Sequence, residues 1–155
     1  MRVYLVRHGK ASKDPRYHHD AERPLTARGR SDVEAIARFL AGAGVQVAQI
    51  RHSGLVRAAQ TAEILGEHLQ PPQGVIAVRG LHYSDPVETL AEELAYESEP
   101  VMLVGHNPFM ERLTALMLRA DGSVPVWFAT SSTVCIERVE GFWTLKWALH
   151  RELFG

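Results

Sequence analysis

Short apolar runs alternate with stretches of helical periodicity along most of the chain. Residues 2–6 form a continuous apolar run, the pattern of a short strand buried on both faces, and further strands are predicted at about 47–52, 75–78 and 101–104. Behind Thr26 as N-cap, Val33, Ile36, Ala37 and Leu40 keep the i, i+3, i+4, i+7 spacing of an amphipathic helix that stops at Gly42 and Gly44. Ser53 is the expected cap of a second helix, with Ala58, Ala62, Leu65 and Leu69 toward the core and Pro71-Pro72 as its terminator. Asp85-Pro86-Val87-Glu88 has the form of a capping box ahead of a helix through Leu90 and Leu94 to about Glu97. Asn107 and Pro108 then predict the start of a helix through Leu113, Leu116 and Met117.

Residues 133–139 and 143–149 are rich in β-branched and aromatic side chains, and Glu140-Gly141 between them predicts a hairpin. The alternation ahead of that hairpin argues for an α/β fold: a three-layer α/β/α sandwich with a mainly parallel central sheet and the hairpin at its edge. Residues 10–25 break the pattern. They are polar, interrupted by Asp14-Pro15 and Arg23-Pro24, and long enough to suggest a functional loop forming one wall of a crevice.

Composition narrows the picture. The chain has 155 residues, 46% of them hydrophobic, which suffices for one domain spanning 1–155 with its own core. With 17 basic and 18 acidic residues there is no general attraction to nucleic acid or anionic lipid, so neither is an expected partner and any anion preference has to be local. Cys135 is the single cysteine, which excludes an internal disulfide, and its neighbours Val134 and Ile136 read as a core strand. No apolar run approaches the roughly 20 residues that span a bilayer. A cytoplasmic monomer is the default expectation.

The chemistry concentrates where strands end. Arg7-His8-Gly9 follows the first strand, His52-Ser53 the second with Arg57 close behind, and Gly105-His106-Asn107-Pro108 the strand at 101–104. In open α/β sheets the ligand crevice lies at the carboxyl ends of the strands, so two arginines and two histidines there imply an anion site. Arginine forks match phosphate oxygens. His106 is placed to donate to a phosphoryl oxygen and is best protonated for that task, while a neutral His8 is left as nucleophile; the two pKa values are expected to be pushed apart. Gly9 allows close approach of backbone or ligand. No metal or cofactor is required if the guanidinium groups carry the charge. His18-His19 with Asp20 lacks the spacing of a metal site and reads as solvated loop. Trp127, Trp143 and Trp147 read as core or sheet-face residues.

Taken together, Arg7-His8-Gly9, Arg23-Pro24-Leu25-Thr26 with Gly29, Ser53 with Arg57 to Ala62, and Gly105-His106-Asn107-Pro108 resemble the histidine phosphatase superfamily, in particular its short SixA-like phosphohistidine phosphatase branch. The resemblance runs in order from residue 1 to about 118 and implies a phosphoglycerate mutase-like fold. It also implies that His8 is transiently phosphorylated, with Arg7, Arg57 and His106 around the phosphate. Gly9, Ser53 and Asn107 are further candidates for substrate contact. Arg23 either reaches the site from the loop or is solvated ahead of its proline. One departure stands out. Phosphoglycerate mutase-like members carry a glutamate general acid after the third strand, and no residue in 80–85 clearly fills that place; His82, Asp85 and Glu88 are weak candidates. A phosphohistidine, whose imidazole leaves more readily than an alkoxide, needs such an acid less. The expected substrate is therefore a phosphohistidine-bearing protein. The alternatives are a small phosphomonoester and, in another class, a module that binds phosphohistidine without turning it over.

Overall fold

β1 (Arg2–Arg7) divides its side chains between two cores: Tyr4 and Val6 point into one and Val3 and Leu5 into the other, all of them buried. In the computed structural model, which describes residues 1–154, this strand lies in a six-stranded sheet. Its fellows are β2 (Gln49–His52), β3 (Val75–Ala77), β4 (Val101–Gly105), β5 (Thr133–Val139) and β6 (Phe142–Leu149), in the order β3-β2-β4-β1-β5-β6. The first four strands of that order run parallel, whereas β5 and β6 are antiparallel to their neighbours and form the expected edge hairpin. α1 (Ala27–Gly42) and α2 (Val56–Leu69) pack over the Tyr4 face, and α3 (Val87–Leu94) and α4 (Phe109–Met117) over the Val3 face. This is the three-layer α/β/α sandwich predicted above.

Local rules account for α1. Thr26 accepts a hydrogen bond from the Gly29 amide at 2.9 Å, the N-cap read from the sequence. A side chain at Gly29 would put its Cβ 2.1 Å from the Lys10 carbonyl oxygen, and one at Gly9 would meet Val33 of α1 at 2.7 Å. The two glycines let the end of β1 and the start of α1 cross closely, so what approaches Gly9 is the helix.

Four expectations are corrected here. Ser53 does not cap α2, whose N-cap is Leu55 with no side-chain bond; the Ser53 hydroxyl lies ahead of the helix, accepting from the Leu55 amide at 3.3 Å and bonded to His106 at 2.6 Å. Asn107 does not cap α4, whose N-cap is Pro108; its side-chain NH2 donates to Glu111 and Phe128 while its Oδ1 is buried without a protein partner, and Leu116 on that helix is 43% exposed, the buried face being Phe109, Met110, Leu113, Thr114 and Met117. The capping box at 85–88 does not form; Asp85 accepts from the His82 amide at 2.8 Å and so shapes the turn ahead of α3. Trp127 is 62% exposed rather than in the core or on a sheet face.

Candidate active site

β2, β4 and β1 are adjacent and parallel, so their carboxyl ends open on one edge of the sheet. Arg7 pairs with Gly105 across β1 and β4, and the His8 amide donates to the Gly105 carbonyl at 3.0 Å. Neighbouring strands are about 4.8 Å apart, so residues placed just past these ends must meet. The rings of His8 and His106 do, with centroids 5.0 Å apart.

The His8 ring is fixed through Gly9. Nδ1 lies 2.6 Å from the carbonyl oxygen of Gly9, which can only accept, so Nδ1 carries the proton and Nε2 keeps the lone pair. The Gly9 amide in turn donates to the Thr61 hydroxyl at 3.0 Å, and Thr61 donates to the Arg57 carbonyl at 2.8 Å. Both polar backbone groups of Gly9 are thus engaged around the His8 ring. On the other side, Ser131 donates its amide to the carbonyls of Arg7 and His8 at 3.0 and 3.1 Å, in a left-handed conformation with φ 64°.

Arg7, the next residue along the Val3–Leu5 face, reaches toward the α3/α4 side of the sheet. Its Nη1 donates to the Phe128 carbonyl at 3.0 Å, and the Asn107 amide donates to the same oxygen at 3.0 Å. Arg57, in the first turn of α2, is only 5% exposed, and both its terminal nitrogens are bonded to Asp20: Nη1 to the backbone carbonyl at 2.9 Å and Nη2 to the carboxylate at 3.0 Å. Arg23 sends Nη1 to the other Asp20 oxygen at 3.0 Å and Nε to the Ser12 carbonyl at 2.6 Å. The long loop is therefore part of the site, as expected, and Arg23 is tied into its wall through Asp20.

His106 Nε2 lies 2.6 Å from the Ser53 hydroxyl, while its Nδ1 and the Arg7 Nε are buried without a protein partner. Polar atoms in that condition carry a desolvation cost that an added hydrogen-bond partner relieves. The arrangement has a lone pair on one imidazole, guanidinium groups beside it and unspent polar capacity facing inward. It suits in-line attack on a phosphoryl group.

The expected separation of the histidine pKa values is not found. Burial, reinforced by Arg57, Arg7 and Arg23 and opposed by the Gly9 carbonyl, pushes His8 down to about 4. Burial, reinforced by His8, Arg57 and His82, pushes His106 down to about 3. Both rings are neutral at pH 7 among protein groups alone, because each sits in low dielectric beside cations. A phosphoryl dianion acts in the opposite sense on His106. Burial alone would raise the Asp20 carboxyl, but the bonds from Arg57 and Arg23 outweigh it and hold it below the usual carboxylate range.

A pH profile tests this. Protonation removes the Nε2 lone pair, so kcat/KM is expected to hold from pH 7 down to about 5 and to fall only as the pH passes about 4. Stability follows a different window. Both histidines titrate near 6.5 when unfolded and lower when folded, so the unfolded chain binds more protons between 6.5 and about 4, and stability drops as the pH falls through that range. Urea midpoints measured from pH 7 to pH 4 check the second statement separately from the rate.

Sequence reasoning missed Asp20, Thr61 and Ser131 as parts of the site. Thr61 was within reach, since it stands one helical turn after Arg57 on the same face of α2. Asp20 and Ser131 belong to irregular segments whose path no periodicity reveals.

Comparison with known proteins agrees with this geometry. Residues 3–82 match the histidine phosphatase superfamily (branch 1). The chain belongs to that superfamily. It is 29% identical to phosphohistidine phosphatase SixA of Escherichia coli K12 over 154 residues, which cover 96% of this chain and 93% of that one. Its fold superposes with a TM-score of 0.89 on the protein histidine phosphatase SixA complexed with tungstate, at 27% identity and over 99% of both chains. It is also 38% identical over 120 residues, 70% of this chain and 67% of the other, to an uncharacterised protein of Picosynechococcus. This histidine phosphatase is thus a phosphatase with the phosphoglycerate mutase-like fold of its SixA relatives. Among its described residues no helix is long and apolar enough to cross a membrane, and no cluster of three or more His, Cys, Asp or Glu could hold a metal ion.

Proposed function

We propose that the protein, as a single domain, removes the phosphoryl group from phosphohistidine on a partner protein through a covalent intermediate on His8 and without a metal ion. The observation that carries this reading is the His8 tautomer: Nδ1–H is bonded to Gly9 at 2.6 Å, and Nε2 is left with its lone pair beside Arg7, Arg57 and His106. In the first step Nε2 attacks phosphorus, the new P–N bond forms as the bond to the leaving group breaks, and Arg7, Arg57 and His106 take the charge on the equatorial oxygens. In the second step water attacks phosphorus, the bond to His8 breaks, and inorganic phosphate leaves with His8 restored.

Chemistry supports phosphohistidine as substrate. Its leaving group is an imidazole, as is the nucleophile, so the first step exchanges one P–N bond for another of the same kind, and the departing ring leaves as neutral imidazole when the other ring nitrogen of the phosphohistidine already carries a proton. Of the side chains after β3, the His82 ring stands 6.5 Å from that of His106 and is the proton donor nearest at hand, while the two carboxylates are placed otherwise. Asp85 is engaged with the His82 amide, and Glu88 lies in the first turn of α3. The closeness to SixA proteins points the same way.

The test is hydrolysis of a histidine-phosphorylated peptide in EDTA, set beside phosphoserine and small sugar phosphates. Turnover of the phosphohistidine peptide that is unchanged by EDTA and at least roughly 100-fold faster than that of the oxygen esters is expected. A preference for a small phosphomonoester would overturn the substrate assignment, and loss of turnover in EDTA would overturn the metal-free mechanism.

A further inference from the structure

We propose that Asp20 is a positioning residue for phosphoryl transfer: it holds the buried guanidinium of Arg57 from one side so that the remaining N–H groups of Arg57 face the phosphoryl oxygens. The inference rests on the reading of Arg57 as a phosphate ligand and adds a residue that acts through it.

Asp20 meets Arg57 with two atoms of different kinds, its backbone carbonyl on Nη1 at 2.9 Å and its carboxylate on Nη2 at 3.0 Å. Together they engage the fork end of the guanidinium and fix its plane. An aliphatic stem rising from α2 cannot do this alone, because each of its torsions has several staggered minima. The other carboxylate oxygen takes Arg23 Nη1 at 3.0 Å, so one side chain orders two cations.

A competing interpretation treats the carboxylate as a resident anion that substrate must push aside. The backbone bond argues against it. The Asp20 carbonyl belongs to a short 3-10 turn, Asp20–Glu22, in which the Glu22 amide donates to His19 and the Arg23 amide to Asp20. The base of the same loop is closed by the bridge between Ala11 and Leu25 and by the Thr26 amide on the Lys10 carbonyl. The carboxylate can rotate away without disturbing that turn, but the backbone carbonyl keeps its hold on Nη1 for as long as the turn stands, so part of the clamp does not depend on the anion. Nor does the carboxylate cancel the attraction for phosphate, since Arg7, Arg23 and Arg57 outnumber it.

The experiment compares Asp20→Ala and Asp20→Asn with wild type. It uses p-nitrophenyl phosphate and the histidine-phosphorylated peptide as substrates and orthovanadate as a probe of the transition-state geometry. Asp20→Ala is expected to lower kcat roughly 100-fold with KM changed less than about threefold, because a misaligned donor is felt mainly in the transition state. Asp20→Asn, which keeps an acceptor for Arg57 and leaves the backbone bond in place, is expected to recover about a tenth of the lost rate. Vanadate affinity is expected to weaken in step with kcat, while the urea midpoint moves little. Unchanged kcat and vanadate affinity in Asp20→Ala would overturn the proposal. So would tighter vanadate binding, the mark of a displaced resident anion, or a loss of rate that merely tracks a loss of stability. If the wild-type enzyme ignores the phosphohistidine peptide, the substrate reading falls alone, and p-nitrophenyl phosphate and vanadate still decide the role of Asp20.

Discussion

His8→Ala lowers kcat by at least roughly four orders of magnitude while leaving the fold intact. The ring is 9% exposed and lies between the end of β1 and His106, so alanine removes the nucleophile without disturbing either hydrophobic core. The decisive reading is covalent. Brief exposure of wild type to a 32P-labelled phosphohistidine peptide should leave an acid-labile, alkali-stable label on the protein, and His8→Ala should carry none. The variant should still bind orthovanadate, since Arg7 is held by Phe128 and Arg57 by Asp20 independently of His8. Label retained on His8→Ala would move the nucleophile elsewhere. Phosphohistidine binding without turnover in the wild type would identify a recognition module instead.

Arg57→Lys should cost about a thousandfold in kcat/KM despite preserving the charge. The native guanidinium satisfies the Asp20 carbonyl and carboxylate and still has N–H groups on its other edge. A lysine ammonium is a single point on a flexible stem. It can pair with Asp20 or reach a phosphoryl oxygen, but it cannot span both in a fixed plane. The loss should appear in vanadate affinity as well as in the rate. A fall of less than tenfold would remove Arg57 from the charge-neutralising set.

Most of the architecture was legible because it obeys local periodicity. Tyr4 and Val6 against Val3 and Leu5, and the helical spacing of Val33, Ile36, Ala37 and Leu40, translate directly into the two cores. Arg7, His8, Ser53 and His106 were legible for the same reason, since parallel strands carry whatever follows them to a common edge. The helix starts were less so. Ser53 and Asn107 are good cap residues, but each helix begins later than expected, behind Leu55 and Pro108, and the two side chains also reach His106 and Phe128. The histidine pKa values were misjudged because a division of labour was inferred from the reaction, whereas the protein buries both rings and places Arg57 near each of them. Asp20 escaped notice because its partner Arg57 is 37 residues away and the irregular segment 10–25 that carries Asp20 has no repeating pattern.

The position of β1 between β4 and β5 has a bearing on how the protein acquires activity. Val3 is registered against Val101 on one side and Ile136 on the other, so the strand that delivers His8 is paired only with segments far along the chain. α1 and α2, by contrast, are joined by a short stretch of chain and can meet early. Closing such distant pairings is entropically slow, and it comes late in a fold of high contact order. A ribosome-bound or truncated chain ending before β5 would therefore contain every catalytic side chain named above and lack one of the two strands that hold the first of them in place. Competence to be phosphorylated on His8 should thus report completion of the sheet, which makes the active site a marker of its own assembly.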